Sequence, residues 1–399
     1  MPSRSGSSWS RPSLRTRDAA AKPSIVLVTL DTVRADRTSA YGYAKKTTPA
    51  LEALAARGVL FEHAYAVASD TQRSLVPLVS GRRLSRTARD TREWPTLRDA
   101  VDTVAERLQR AGYATAAVTS FTWLSRDRGF DQGFDDFEPA YEKDHPERGI
   151  TGPHALAAAR AVLARRDADP RPLFLWVHLF DAHDRYLPHP GHDFGGTGSG
   201  LYDGEIAFVD RQLEGLVEAV AGSSRGGSTA FVVHGSHGEG WGEHGVEGHG
   251  ADLWEAQIRV PLVVSVPGAA PGRYTRGAVS TADVAPTVLE LAGAPADEVE
   301  GRSLAAIARG ALDTPGQPVF ARARRRAAVV DWPLKLLVHV RKGKDRHILF
   351  DLASDPGEEK DLSESRRDDL VRLVALHEKL EAEPGGEGSR ADGGGGSKP

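Results

Sequence analysis

The chain has 399 residues, 40% of them hydrophobic and 27% charged, and a formal net charge of −4. That length buries a large core in one big or two ordinary domains, and the near-neutral balance argues against nucleic acid or an anionic membrane surface as partner. Cysteine is absent, which excludes disulfides, thiolate metal sites and a cysteine nucleophile.

Residues 1–22, rich in Ser and Arg and without the apolar stretch of a secretory signal, are expected to form a disordered tail. No run of about 18 apolar residues exists, so no transmembrane segment is expected and cytoplasmic placement is the default. SIVLVTL (24–30) is a continuous β-branched apolar run, the pattern of a strand buried on both faces of a parallel sheet. It ends in Asp31. TPALEALAARG (48–58) has helical spacing and a glycine stop, and VDTVAERLQRAGY (101–113) is a second helix leading into the strand ATAAVTS. RPLFLWVHLF (171–180) reads as a buried strand and residues 202–221 as a long amphipathic helix. The strands TAFVVHG and VPLVVSVPG and the helix ADVAPTVLELAG (282–293) follow. Alternating strands and helices predict a three-layer, doubly wound α/β core over 23–312, with functional groups gathered at the carboxyl ends of strands. From 313 to 384 the pattern changes to short strands and a closing amphipathic helix, predicting a small antiparallel subdomain. The Gly-rich residues 385–399 are expected to be a flexible tail.

Six stretches carry a family likeness: LDTVRADRTSAYGY (30–43), LFDAHDRYLP (179–188), YDGEIAFVDRQL (202–213), HGADLWEAQIRVPLVVSVPG (249–268), DVAPTVLELAG (283–293) and ILFDLASDPGEEKDL (348–362). In that order they resemble the sulfatase branch of the alkaline phosphatase superfamily, over about residues 23 to 363. The resemblance implies an alkaline-phosphatase-like fold and a metal-dependent hydrolase or transferase of sulfate or phosphate esters. It also implies a nucleophile, on a loop, that coordinates the metal together with aspartates and a histidine.

Carried over residue by residue, the resemblance places Asp31 as a metal ligand, with Thr32 where many sulfatases have a second Asp. In ASDTQRSLVPLVSGRR (68–83) it places Thr71 as the nucleophile and metal ligand of threonine-type members. Ser69 is the alternative, because Arg73 follows it at the spacing of sulfatases whose cysteine or serine becomes formylglycine. A threonine hydroxyl attacks usefully only when a metal or base assists it. His237 is the expected histidine ligand. Aligned on His237-Gly238-Glu239, the family's metal-binding Asp falls on Ser236, a neutral hydroxyl and a poor ligand for a divalent ion. A divalent metal (Ca, Zn or Mn) is therefore expected to bind weakly or not at all. His183 and His249 match positions that contact the transferred group or assist the leaving group. His178 and His234 read as core histidines, His244 as solvent-facing with a chance of supplying a replacement ligand. Arg34 and Arg259 read as surface or packing charges, and Arg73 as a side chain pointing at the anion. The partner expected is a small-molecule sulfate or phosphate ester. Two functions stay open: a hydrolase or transferase acting through Thr71, and an impaired pseudoenzyme that keeps the fold as a binding module.

Overall fold

The computed structural model describes residues 22–84, 87, 96–141, 150–341 and 344–382. The tails expected over 1–22 and 385–399 lie outside the described residues, Lys22 excepted. Strands β1 (Ser24–Leu30), β2 (Val59–Phe61), β3 (Ala64–Tyr65), β4 (Ala114–Thr119), β5 (Asp136–Pro139) and β6 (Leu173–Leu179) come first. They are followed by β7 (Thr229–Gly235), β8 (Gly240–Trp241), β9 (Glu247–Gly248), β10 (Leu262–Ser265), β11 (Gly272–Tyr274) and β12 (Val279–Ser280). Interleaved with them are helices α1 (Pro49–Ala55), α2 (Thr71–Ser80), α3 (Val104–Arg110), α4 (Gly152–Arg165), α5 (Gly198–Ala221), α6 (Glu255–Ile258) and α7 (Val284–Ala292), with α8 (Ala305–Ala308) after the last of them.

Eight strands form one sheet in the order β11-β2-β10-β7-β1-β6-β4-β5. The run from β7 through β1, β6 and β4 to β5 is parallel, whereas β10 lies antiparallel to both β7 and β2. β1 is central and buried along its whole length. Its alternation sorts the two layers: Ile25 and Leu27 pack with α2, α3 and α7, and Val26, Val28 and Leu30 with α1, α4 and α5. The expected three-layer α/β core is the observed one.

Several elements differ from the sequence reading, which has no counterpart of the sheet strands β2, β5 and β11. The stretch expected as a nucleophile loop is the helix α2, and α4 went unrecognised. α2 forms despite Pro77 because both ends are closed. Asp70 accepts the Arg73 N–H at 2.9 Å at the N-cap, and Gly81, at φ 66°, donates its N–H to the Pro77 carbonyl.

Beyond α8 the chain forms the antiparallel sheet β13 (Val319–Ala323), β14 (Arg326–Asp331), β15 (Leu334–His339) and β16 (Arg346–Asp351). One face of this sheet packs on Leu253, Trp254 and Ile258 of the core, and the other is covered by Leu373, Leu376 and Leu380 of α9 (Arg367–Ala382). Lys335 of β15 is fully buried and pairs with Glu255 of α6 at 3.0 Å and with Glu358 at 2.7 Å. This triad ties the small sheet to the core.

Candidate active site

Parallel strands leave their last carbonyls and N–H groups pointing off one sheet edge, and the residues that follow them gather there. Asp31 follows β1, its N–H bonded to the Leu179 carbonyl of β6 at 2.9 Å. Ser236 and His237 follow β7, and the Ser236 N–H is bonded to the Leu30 carbonyl at 3.0 Å. His183 follows β6. The segment after β7 approaches the core so closely that a Cβ on Gly238 would lie 2.1 Å from the Ala256 carbonyl oxygen, so only glycine fits between His237 and Glu239.

Thr71, first residue of α2, is brought to this edge from another layer. Its Oγ1 lies 3.2 and 3.1 Å from the two oxygens of Asp31 and 3.2 Å from His237 Nε2. His237 Nδ1 is 2.9 Å from the Gly238 carbonyl, so this nitrogen carries the proton and Nε2 presents its lone pair to Thr71. The Ser236 hydroxyl donates to Asp31 Oδ1. His178 also faces the site, its buried Nε2 3.9 Å from Asp31 Oδ2 and without a hydrogen-bond partner. Next to Asp31, Thr32 holds φ 53°, a strained conformation for a β-branched residue that favours functional sites.

His249 lies on the far side of His237, the ring centroids 4.6 Å apart, and meets His183 edge-on at 4.8 Å. Glu239 holds it: His249 Nδ1 is 3.1 Å from both Glu239 oxygens, and the Tyr186 hydroxyl donates to Glu239 at 2.9 Å. Thus Asp31, Thr71 and His237 form one hydrogen-bonded group, and His183 and His249 adjoin it through ring contacts. Sequence reasoning missed the Tyr186–Glu239 clamp and gave His178 no place facing Asp31. A histidine as the penultimate residue of a buried parallel strand is a signal that could have placed His178.

Burial alone would push the Asp31 carboxyl up, but His178, His237, His183 and the Ser236 hydroxyl outweigh it and hold it below its usual range. Burial pushes His237 and His178 down to about 4, so both rings are neutral near pH 7. His249 goes the other way. Burial opposes its charge, yet the bond to Glu239 and the charges of Glu239, Asp31 and Asp70 raise it. The site thus combines an ionised Asp31, two neutral imidazoles and a third that favours its proton.

Other expected residues lie differently. The Arg73 guanidinium is held by Asp70 at 2.6 Å instead of standing free for an anion. Arg34 is no surface charge: it is buried, bonded to Asp36 and Glu243 at 2.7 Å each and to the Glu239 carbonyl at 2.9 Å. Arg259 is half-buried against Glu62. His244 stacks on Trp254 at 3.7 Å and bonds the Gly357 carbonyl, so it offers Asp31 no replacement ligand. His234 is satisfied by Thr29 and Gly235, each at 2.9 Å. Ser69 is fully buried and its Oγ makes no hydrogen bond.

The divalent metal implied by the family resemblance does not fit these residues. Among the described residues, Asp31 is the one carboxylate hydrogen-bonded to Thr71, and its oxygens already accept the Ser236 and Thr71 hydroxyls. Among the described residues, no group of three or more His, Cys, Asp or Glu is arranged to hold a metal ion.

The family model described as Sulfatase matches residues 23–294, and that described as N-sulphoglucosamine sulphohydrolase, C-terminal, matches residues 242–384. The chain is similar to choline-sulfatase of Rhizobium meliloti (strain 1021), 29% identical over 191 residues, which is 44% of this chain and 36% of that protein. It is also similar to steryl-sulfatase of Rattus norvegicus, 31% identical over 175 residues, 39% of this chain and 29% of the relative. The similarity thus spans about a third of these curated relatives. Among solved structures, one in complex with its substrate D-glucosamine-2-N,6-O-disulfate superposes with a TM-score of 0.76 at 17% identity, covering 92% of this chain and 100% of the other. Phosphonate monoester hydrolase of Agrobacterium radiobacter superposes with a TM-score of 0.70 at 20% identity, covering 90% and 95%. These likenesses share the fold. With a family match across the core and its neighbours' architecture reproduced, the chain belongs to the sulfatase family.

Proposed function

We propose that this protein binds a sulfate or phosphate ester at the Thr71 pocket and transfers or hydrolyses the sulfuryl or phosphoryl group slowly, through Thr71. The observation that carries this reading is the position of Thr71 Oγ1, within hydrogen-bond reach of both His237 Nε2 and Asp31. Activation by a metal, the sequence expectation, finds no support in the donor set. His237 takes that part: the Thr71 hydroxyl, which donates to Asp31, turns its one proton to the bare Nε2 3.2 Å away, and that nitrogen receives it as Oγ1 attacks sulfur or phosphorus. As the ester bond breaks, the departing oxygen takes a proton from His249, which Glu239 orients and whose protonated form it favours. The N-terminal N–H groups of α2, which begins at Thr71, favour negative charge there.

One term opposes all of this. Ionised Asp31 sits beside the nucleophile and repels an incoming anion, and without a cation that repulsion is only partly offset by His249. Slow turnover follows. The second reading, an impaired protein that keeps the pocket for binding, draws on Ser236: at the position that the family resemblance gives to a metal-binding Asp, a hydroxyl donates to Asp31 Oδ1.

Turnover of 4-nitrophenyl sulfate and 4-nitrophenyl phosphate, with and without chelator, separates the two. The first reading expects weak, chelator-insensitive activity that Thr71→Ala abolishes and that leaves the melting temperature nearly unchanged. Activity equal in Thr71→Ala would overturn it, and ester binding with no turnover in the unmutated protein would favour the second.

A further inference from the structure

α5 lends no side chain to the Asp31–Thr71–His237 group, yet one of its buried carboxylates faces the loop that leads away from His183. Glu205 is 2% exposed. One of its oxygens accepts the Leu187 N–H at 2.7 Å, and the other lies 2.5 Å from His189 Nε2. Around these bonds the loop rests on the helix. The His189 ring stacks on Phe208 at 3.8 Å, and a Cβ on Gly204 would lie 2.8 Å from the His192 carbonyl oxygen. Among the described residues 183–199, His189 alone is buried, and the Leu187 side chain is 38% exposed. From Leu187 to His192 the loop is therefore fastened through Glu205.

That attachment reaches the site through one residue. Tyr186 directly precedes Leu187, and its hydroxyl is the donor to Glu239, the carboxylate that faces His249 Nδ1. Fixing the Leu187 N–H fixes the peptide that follows Tyr186, and with it the arc its hydroxyl can reach. Burial pushes the Glu205 carboxyl up to about 8 against the bond from Leu187, and burial pushes His189 down. Near pH 7 the two form a neutral pair sharing one proton, in which Glu205 offers an acceptor to Leu187 and a donor to His189. A glutamine amide offers the same acceptor and donor, whereas a methionine thioether of similar length offers no donor and only a weak acceptor.

We propose that Glu205 is a positioning residue for the leaving-group step: by fastening the 187–192 loop to α5 it keeps Tyr186 against Glu239, and through them keeps His249 aimed at the departing oxygen. This role presupposes His249 as the acid of the Thr71 reaction, so it is tested in the full chain both with and without turnover. Phenyl phosphate and phenyl sulfate release a basic phenoxide that needs the proton, whereas their 4-nitrophenyl counterparts leave without it. Glu205→Met should lower kcat for the phenyl esters by about tenfold or more and for the 4-nitrophenyl esters by less than about threefold, with KM little altered. Glu205→Gln should retain the phenyl-ester turnover. Tyr186→Phe should show the same selective loss, and adding Glu205→Met to it should cost little more, because both act through one bond. His189→Leu keeps the contact with Phe208 and removes one of the two bonds. It should show an intermediate selective loss, and it keeps the test decisive if Glu205→Met fails to fold. Equal losses for the two kinds of ester in either variant, or a loss in Glu205→Gln that matches Glu205→Met, would overturn the proposal. So would losses that add in full in the double variant.

The measurement without turnover is NMR of isotope-labelled histidine at a fixed pH near 7, with the His249 ring signal identified by its absence in His249→Gln. That signal should move in Glu205→Met and in Tyr186→Phe, and hold its place in Glu205→Gln, while the His234 signal stays unmoved in all three. A His249 signal unmoved in Glu205→Met would overturn the proposal even in an inactive protein. A signal that moves as expected in a protein that turns over neither ester would support the hold of Glu205 on His249 and overturn the Thr71 reaction instead.

Discussion

Replacing Lys335 by methionine removes one charge from the join between the small sheet and the core while keeping most of the aliphatic stem. The ammonium is fully buried, 2.7 Å from Glu358, whose side chain is 1% exposed, and 3.0 Å from Glu255. Burial would lower the Lys335 pKa, but Glu358 and Glu255 outweigh it and raise it, so the cation is the charge that makes the pair of carboxylates tolerable. Without it, two carboxylates face each other in a dry interface, and Glu358 also accepts the Glu255 backbone N–H at 2.6 Å. Breaking a buried pair from one side costs about 3–5 kcal/mol. At a denaturant sensitivity of about 3 kcal/mol/M, the urea midpoint should fall by roughly 1 M or more. The assay is urea unfolding followed by circular dichroism, with limited proteolysis of the 319–382 region at low urea. Combining Lys335→Met with Glu255→Gln and Glu358→Gln should recover most of the loss, since the whole triad is then neutral. A single variant that loses less than about 1 kcal/mol, or a triple variant no better than the single, would refute the idea that this charge cluster holds the two parts together.

Acidification should destabilise the fold in a defined window. Burial pushes His178, His234 and His237 down to about 4, below the unfolded value of about 6.5. Their depressed values mean stability that is present above pH about 6.5 and lost as pH falls towards 4, up to about 3 kcal/mol per ring. Unfolding free energy measured from pH 8 to 4 should show this fall, with a shallower slope in His234→Gln; a flat profile would contradict it. Ser236→Asp should place a second carboxylate against Asp31 and destabilise the metal-free protein by several kcal/mol. Added zinc or manganese should then raise the melting temperature of the variant and not of the unmutated protein. Equal metal responses in the two would show that Ser236 is not what limits the site. Gly238→Ala should destabilise by more than about 3 kcal/mol, because its Cβ would meet the Ala256 carbonyl at 2.1 Å.

The core was legible where sequence signals are local and strong. The β1 run SIVLVTL and its terminal Asp31 announce a buried parallel strand and the group at its end. α2 was not legible, because its first turn is polar and Pro77 lies inside it, so its helicity rests on the Asp70 cap and on packing against the sheet. The α4 stripe of Ala155, Ala159, Val162 and Leu163 has helical period, but two of its four buried positions are alanines and contribute little apolar contrast. Arg34 reads as a surface charge because nothing nearby in sequence reveals Glu243 or the Glu239 carbonyl, both more than 200 residues away. The Tyr186–Glu239–His249 chain was hidden for the same reason: its members come from three separate loops, and only tertiary structure joins them.

The hydrogen bonds around Asp31 show how a lone buried carboxylate can be satisfied by protein groups. Two carboxylates side by side in a buried pocket need a positive ion between them, so in such a site metal binding and local order are linked. Position 236 carries a serine, and there is no second carboxylate at that place. Its hydroxyl donates to Asp31 Oδ1 and Thr71 bonds the same carboxylate, so the one remaining charge is satisfied by protein groups alone. On the proposed reading, Asp31 then has no need of a metal and should attract one only weakly. On the proposed reading the cost falls on chemistry: the anion that Thr71 would attack meets the Asp31 carboxylate, while His249, whose protonated form Glu239 favours, lies on the far side of His237. Activity and metal dependence should therefore rise together in Ser236→Asp, and the metal-free stability of that variant should fall as they do.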